Sequence, residues 1–236
     1  MEKRIIALVL LGLSASTSVQ AASSPGNLVE RPITLADGET SLSLGAVYGE
    51  KQNGVHNWGA DIQLGYGITE HLTLDFSGLR YRFMQRPENG TGLELTAGLG
   101  VRGELESEQF GDSHAYGIDI TGKYVFSSDM AAVFNVGYIR WNEDHRENKS
   151  EFDFSLGIQK RLFEGVTLSA SYTYRDLQDF AQDDAYVWNI GATYNIRKDV
   201  DISVSYGQTN FDYARNGYDA DEHFRKGLGV YFTYRF

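Results

Sequence analysis

The 236-residue chain has no cysteine, so its fold must hold without a disulfide, and a lipid anchor on an N-terminal cysteine is excluded. It has no excess of basic charge either. The formal net charge is -11, with 21 Lys and Arg against 32 Asp and Glu, which argues against nucleic acid as a partner because a polyanion needs a basic surface. Long apolar runs are also missing. The run Ile5 to Leu13 falls short of the roughly 18 uninterrupted apolar residues of a membrane helix, and no later segment approaches that length. This run follows Met1-Glu2-Lys3-Arg4 and precedes the small polar stretch Ser14 to Ala22, the order of a secretory signal peptide. We expect residues 1–21 to be removed by a cut after Ala21, with Ala22 as the neighbouring choice. Losing Glu2, Lys3 and Arg4 moves the formal charge to -12, from 19 basic against 31 acidic residues.

Aromatic residues and glycine are abundant: 15 Tyr, 13 Phe, 3 Trp and 26 Gly. From Glu39 onward they follow a period of two. Trp58, Ala60, Ile62, Leu64, Tyr66 and Ile68 alternate with Gly59, Asp61, Gln63, Gly65 and Gly67, a pattern that a strand can hold on one face and a helix cannot. The same alternation returns around Leu93–Val101, Tyr116–Phe126, Ala132–Tyr138, Phe152–Ile158, Val166–Tyr174, Tyr186–Tyr194, Val200–Tyr206 and Leu228–Phe236. A soluble sandwich would alternate too. Three details favour a closed transmembrane barrel. Aromatics cluster at the ends of the apolar faces, where membrane girdles belong: Trp58, Tyr66, Tyr124, Phe126, Tyr172, Tyr174, Trp188, Tyr194, Phe232 and Tyr234. The opposite faces hold glycine and polar residues, which suits a wet interior. Short connections at 69–71, 127–129, 163–165 and 197–199 alternate with longer polar ones, as in barrels with periplasmic turns and outer loops.

The expected fold is therefore all-β, a closed antiparallel barrel over residues 39–236, preceded by a periplasmic lead-in at 22–38 that carries Pro25 and Pro32. Strand number turns on residues 71–83. Leu72, Leu74 and Phe76 are in one phase and Leu79, Tyr81 and Phe83 in the other, which a two-residue turn at Ser77-Gly78 would reconcile by pairing Phe76 with Leu79. That gives 12 strands, two of them short; the rival count is 10, with this segment at a rim or bulged.

The final strand, Gly227-Leu228-Gly229-Val230-Tyr231-Phe232-Thr233-Tyr234-Arg235-Phe236, ends on phenylalanine with aromatics at alternate positions. It resembles the C-terminal signal of Gram-negative outer-membrane proteins, and the resemblance implies recognition by the barrel-assembly machinery through Phe236. The stretches Glu30–Leu35, Leu64–Leu74 and Gly78–Phe83 are similar to a widespread family of proteobacterial barrels labelled porin-like or transporter-like. That resemblance implies residence in the outer membrane, among its lipid and lipopolysaccharide. Porin trimers use larger barrels, so a monomer is expected.

The inward set should include Asp61, Gln63, Glu94, Arg102, Asp119, Lys123, Asp153, Arg161, Arg175, Asp201, Arg225 and Arg235. Mixed signs in a narrow lumen either line a pore or pair off and close it. A passive channel for small solutes is the leading function; a structural or surface-interaction barrel without substrate is the alternative, and a lipid hydrolase the third. His114 beside Ser113, and His145, are the residues a hydrolase would need, but sequence neighbours alone establish no acid, base and nucleophile geometry, so no catalytic residue is assigned. The acidic outer loops lack the spacing of a calcium loop. No metal or cofactor is expected.

Overall fold

In a computed structural model, residues 27–87, 90–221 and 223–236 are described; the expected signal peptide at 1–21 and the first part of the expected lead-in lie outside them. Twelve strands follow one another: β1 (Thr40–Lys51), β2 (His56–Thr69), β3 (Leu72–Asp75), β4 (Gly78–Met84), β5 (Gly92–Leu105), β6 (Ser113–Ser127), β7 (Met130–Glu143), β8 (Lys149–Phe163), β9 (Val166–Gln178), β10 (Asp184–Arg197), β11 (Val200–Thr209) and β12 (Phe224–Arg235). Each pairs antiparallel with its sequence neighbours, and β12 pairs with β1 from Ser41↔Arg235 to Glu50↔Lys226, so the sheet is a closed barrel. At the seam the Thr40 N–H donates to the Phe236 carbonyl at 2.7 Å, and the Phe236 N–H donates to the Thr40 carbonyl at 2.9 Å. Closure gives the first and last strands each two neighbours, so the seam itself crosses lipid with its backbone paired.

The alternation sorts the side chains as expected. All ten girdle candidates lie on the outward face, nine of them exposed and Trp188 half-buried beside Tyr206. The apolar surface is therefore outside, the reverse of a soluble protein of this size. Four of the five connections at the short-turn end share one construction, two-residue turns at 70–71, 128–129, 164–165 and 198–199, each next to a one-residue register shift; the fifth, between β4 and β5, is longer. Such bulges add local twist where the chain reverses.

The hairpin at 71–83 exists, but its turn is one residue earlier than expected. Leu74 pairs with Leu79, Leu72 with Tyr81 and Asp75 with Gly78, leaving Phe76-Ser77 as the turn and Thr73, not Asp75, opposite Arg80. The reason is local hydrogen bonding. The Asp75 Oδ1 accepts from the Ser77 N–H at 2.8 Å, the Ser77 hydroxyl at 2.5 Å and the Gly78 N–H at 2.9 Å, an Asx turn that fixes Asp75 at the mouth of the hairpin. Gly78 also adopts φ 146, which glycine tolerates at the position just after the turn. With β3 at 4 residues and β4 at 7, this hairpin is far shorter than its flanks β2 and β5, at 14 residues each.

Candidate functional site in the barrel lumen

The end of the lumen at the short turns, expected to face the periplasm, is filled by residues 27–38, whose side chains Val29, Arg31, Thr34 and Leu35 are fully buried. Polar contacts hold this plug. Arg31 binds Asp201 through both carboxylate oxygens, at 2.5 and 2.8 Å, and Arg235 reaches the same carboxylate at 2.6 Å. Asn195 completes the set around Asp201. Glu94 accepts from the Ile33 N–H at 2.7 Å and from Arg86 at 3.1 Å, with Arg82 at 3.8 Å. Lys123 donates to the carbonyls of Leu28 and Arg31 at 2.8 and 2.9 Å, and Thr73 accepts from the Leu35 N–H at 2.9 Å. A buried charge is tolerable only when paired or hydrogen-bonded, and here the plug supplies partners that water would give in an open lumen.

In the middle of the barrel the lining is polar and less crowded. Asp119 binds Arg80 at 2.9 Å and Arg102 at 2.6 Å, while Asn135 and Thr121 donate to its Oδ1. Gln63 donates to Asp61 at 3.0 Å. Higher up, Arg175 binds Glu151 at 2.5 Å, with Asp153 at 4.0 Å. Small hydroxyl pairs, Ser155 with Thr173 and Thr193 with Ser203, cover the intervening wall.

The outer end is capped by the loop between β11 and β12. Its aromatics Phe211, Tyr213 and Tyr218 turn inward and pack with Trp141, Leu105 and Leu177 of the wall and with Phe180. Arg146 lies 4.4 Å from the Tyr218 ring centre and Arg175 lies 4.7 Å from that of Phe211, cation–π contacts that close the packing. The Tyr218 hydroxyl donates to Glu143 at 2.5 Å; burial first, and then this carboxylate, raises its pKa. Tyr213 is pushed up to about 12 by burial and stacks on His223 at 4.4 Å. His223 in turn is pushed down to about 4, by burial first and by Lys51 second. The cap touches all four other outer loops: Gln52 accepts from the Tyr213 N–H at 2.7 Å, Glu106 from the Asp219 N–H at 2.9 Å, Arg146 donates to Asn216 at 2.9 Å, and Gln182 accepts from the Asp212 N–H at 3.0 Å.

The inward candidates thus divide. Glu94, Lys123, Asp201 and Arg235 belong to the plug contacts; Asp61, Gln63, Arg102 and Asp119 line the middle; Asp153 and Arg175 lie beneath the cap. Arg161 is at the periplasmic rim, half-exposed and 2.7 Å from Asp129. Arg225 is a correction. The register breaks between Glu50 and Lys51, so Phe224 takes the buried position opposite Lys51 and Arg225 is exposed at the outer rim. Ser113 and His114 point to opposite faces, Ser113 buried and His114 exposed at 3.6 Å from Glu104, so they do not form a nucleophile and base pair. Acidic outer-loop residues bind loops together, as Asp219 does with the Glu108 N–H, and among the described residues no three histidine or carboxylate groups converge as metal ligands. Sequence reasoning missed Arg31, Arg80, Arg82, Arg86 and Glu151. Arg80 and Arg82 alternate with Leu79, Tyr81 and Phe83, a signal that was present in the sequence.

The profile of the family described as outer membrane protein beta-barrel domain matches residues 5–195. The chain belongs to this family. It is an outer-membrane barrel, and solved barrels of that location resemble it in shape. An outer-membrane channel from Pseudomonas putida F1 superposes with a TM-score of 0.57 at 12% identity, over 86% of this chain and 97% of that one. The KdgM porin, solved with disordered oligogalacturonate, gives 0.52 at 9% identity over 83% and 99%. An anion-selective porin from Comamonas acidovorans gives 0.50 at 11% identity over 84% and 98%. At these identities the likeness speaks for the fold. No curated protein matches the chain.

Proposed function

We propose that this outer-membrane barrel is a passive channel for small solutes, held closed by residues 27–38. The observation that carries the reading is the nature of the obstruction: a segment outside the sheet, fastened to a polar lumen by Arg31, Glu94, Lys123 and Thr73 rather than by a continuous apolar core. A plug fixed by charge-assisted hydrogen bonds exchanges them for water when it leaves, so its release is a smaller step than unfolding. The solved neighbours that are channels and porins support the reading by analogy of fold alone. Export through the signal peptide, insertion guided by the last strand, and a monomeric barrel among lipid and lipopolysaccharide complete the proposal. It assigns no catalytic residue. Planar-bilayer recording tests it: discrete, salt-dependent openings should be rare for the intact chain and frequent for Arg31→Ala. Silence of both would leave the second reading, a surface-interaction barrel, which the stitched outer loops favour.

A further inference from the structure

Above the short hairpin the barrel wall is missing two strands. The last backbone bond on its β2 side runs from the Phe76 N–H to the Leu64 carbonyl at 3.2 Å, and the last pair on its β5 side is Gly78↔Gly100. Beyond these, no ladder joins β2 to β5, although β2 continues to His56 and β5 to Leu105. The hairpin holds the two flanking strands three interstrand steps apart, roughly 14 Å at about 4.8 Å each. The opening extends along eight residues of β2, roughly 26 Å of edge at about 3.3 Å per residue.

This gap faces lipid. Its borders carry Trp58, Ile62 and Val101, all outward and exposed, and Trp58 reaches 70% exposure, above every other exposed aromatic of the barrel. By strand alternation, the N–H and C=O groups of Trp58, Ala60 and Ile62 turn to the same side as the Leu64 carbonyl, into the gap. One of the three N–H groups is capped by the adjoining side chain: the Trp58 N–H donates to the Asn57 side chain at 2.8 Å. This is how a protein blunts a strand edge that must stay unpaired. Unpaired backbone at membrane depth is tolerated only where it borders water or protein, so the lumen's water reaches the gap. Behind the gap is the polar middle of the barrel. Arg80 spends its donors on Asp119, Thr96 and Thr121, whereas the Arg102 Nη1 makes only a long 3.4 Å contact with the Val101 carbonyl.

Resting on the channel reading, and with both axial mouths filled, we propose that the gap between β2 and β5 is a lateral mouth. It admits single-chain amphiphiles from the outer leaflet, the polar head entering toward Arg102 while the apolar chain remains between Trp58, Ile62 and Val101. A long water-soluble solute has no such route, because the wall it would cross is lipid on the other side.

The chain's lack of cysteine makes the test clean. The full barrel is reconstituted in liposomes with a diazirine-bearing C12 fatty acid, and photolabelled residues are mapped by mass spectrometry. Label is expected on inward residues Asp61, Gln63 and Arg102 as well as on outward Ile62 and Leu99. In the double variant Ala60→Cys with Val101→Cys, a bifunctional thiol reagent bridging the gap should cut inward labelling at least tenfold and leave outward labelling unchanged; each single variant treated alike is the control for reagent and fold. Label confined to the outward face, or inward label indifferent to the bridge, overturns the proposal. Conductance of the Arg31→Ala channel, measured with and without the bridge, is a separate reading. Conductance without inward label removes the lateral mouth and keeps the channel, whereas inward label without conductance does the opposite.

Discussion

Asp201 carries more of the plug than any other single residue. It is buried, and two guanidinium groups plus Asn195 converge on it. Removing Arg31 strands only part of that carboxylate's bonding, since Arg235 remains, so the cost should be below the ~3–5 kcal/mol typical of breaking a buried pair outright. Arg31→Ala is expected to free residues 27–38 while the barrel stays folded, seen as new protease cleavage there with unchanged heat-modifiable mobility. Asp201→Asn leaves two arginines facing a neutral amide and should be the more destabilising change of the two, measured by urea unfolding in detergent. His223 makes the cap sensitive to acid. Its folded pKa of about 4 lies below the usual value near 6.5, so the unfolded or opened loop binds a proton first as pH falls. The stability it permits is fully present above about pH 6.5 and is lost progressively toward about pH 4, by up to about 3 kcal/mol. Proteolysis of residues 210–221 should therefore accelerate across that window, and His223→Phe should flatten the dependence; a flat profile in the parent chain would remove His223 from the account. Neither role was legible in the sequence. Arg31 belongs to no periodic segment, and His223 follows Asp221 and Glu222 in what reads as a solvated loop.

The β3–β4 hairpin shows what a pattern settles at the level of an element and what it leaves open. A change of apolar phase between Phe76 and Leu79 announces a reversal, and the reversal is there. Hydrophobic phase is satisfied equally by a turn at 76–77 or at 77–78, because both keep the same face outward; the Asp75 carboxylate breaks the tie. The strand alternation elsewhere left no such tie, since long runs with one lipid-facing side fix the register. Loops carry no period, so the inward turn of Phe211, Tyr213 and Tyr218 was hidden, although three aromatics in an outer loop were the available sign. Packing at the hairpin's outer flank is tight. Gly100 has φ 153, and a Cβ there would sit 1.8 Å from the Ser77 carbonyl oxygen. Gly100→Val should cost on the order of 2–3 kcal/mol or more through strain and a displaced turn, read as a lower urea midpoint. Smaller loss is expected from Asp75→Ala, about 1–2 kcal/mol, since the turn loses its side-chain acceptor but keeps its glycine.

For the whole molecule, the decisive physical fact is that its apolar surface faces outward around a closed seam. Fold class and membrane were legible because a period of two with aromatic ends, repeated along some two hundred residues, suits few other solutions. The state of the lumen was not, because pairing among inward charges depends on which strands become neighbours across the barrel. At this scale the final residue also matters: Phe236 completes the Thr40 seam through its backbone and leaves its ring exposed. Phe236→Ala keeps those backbone bonds, so slower insertion with normal final stability is the expected result, measured as folding kinetics into vesicles beside equilibrium unfolding.

A cap that grips each of its four neighbours makes the outer rim behave as an arch with one keystone. A single nick between residues 210 and 221 should slacken the whole rim together, so antibodies against distant loops would gain access in one step and not one by one. A cell surface built on such barrels changes its exposed relief abruptly rather than by degrees.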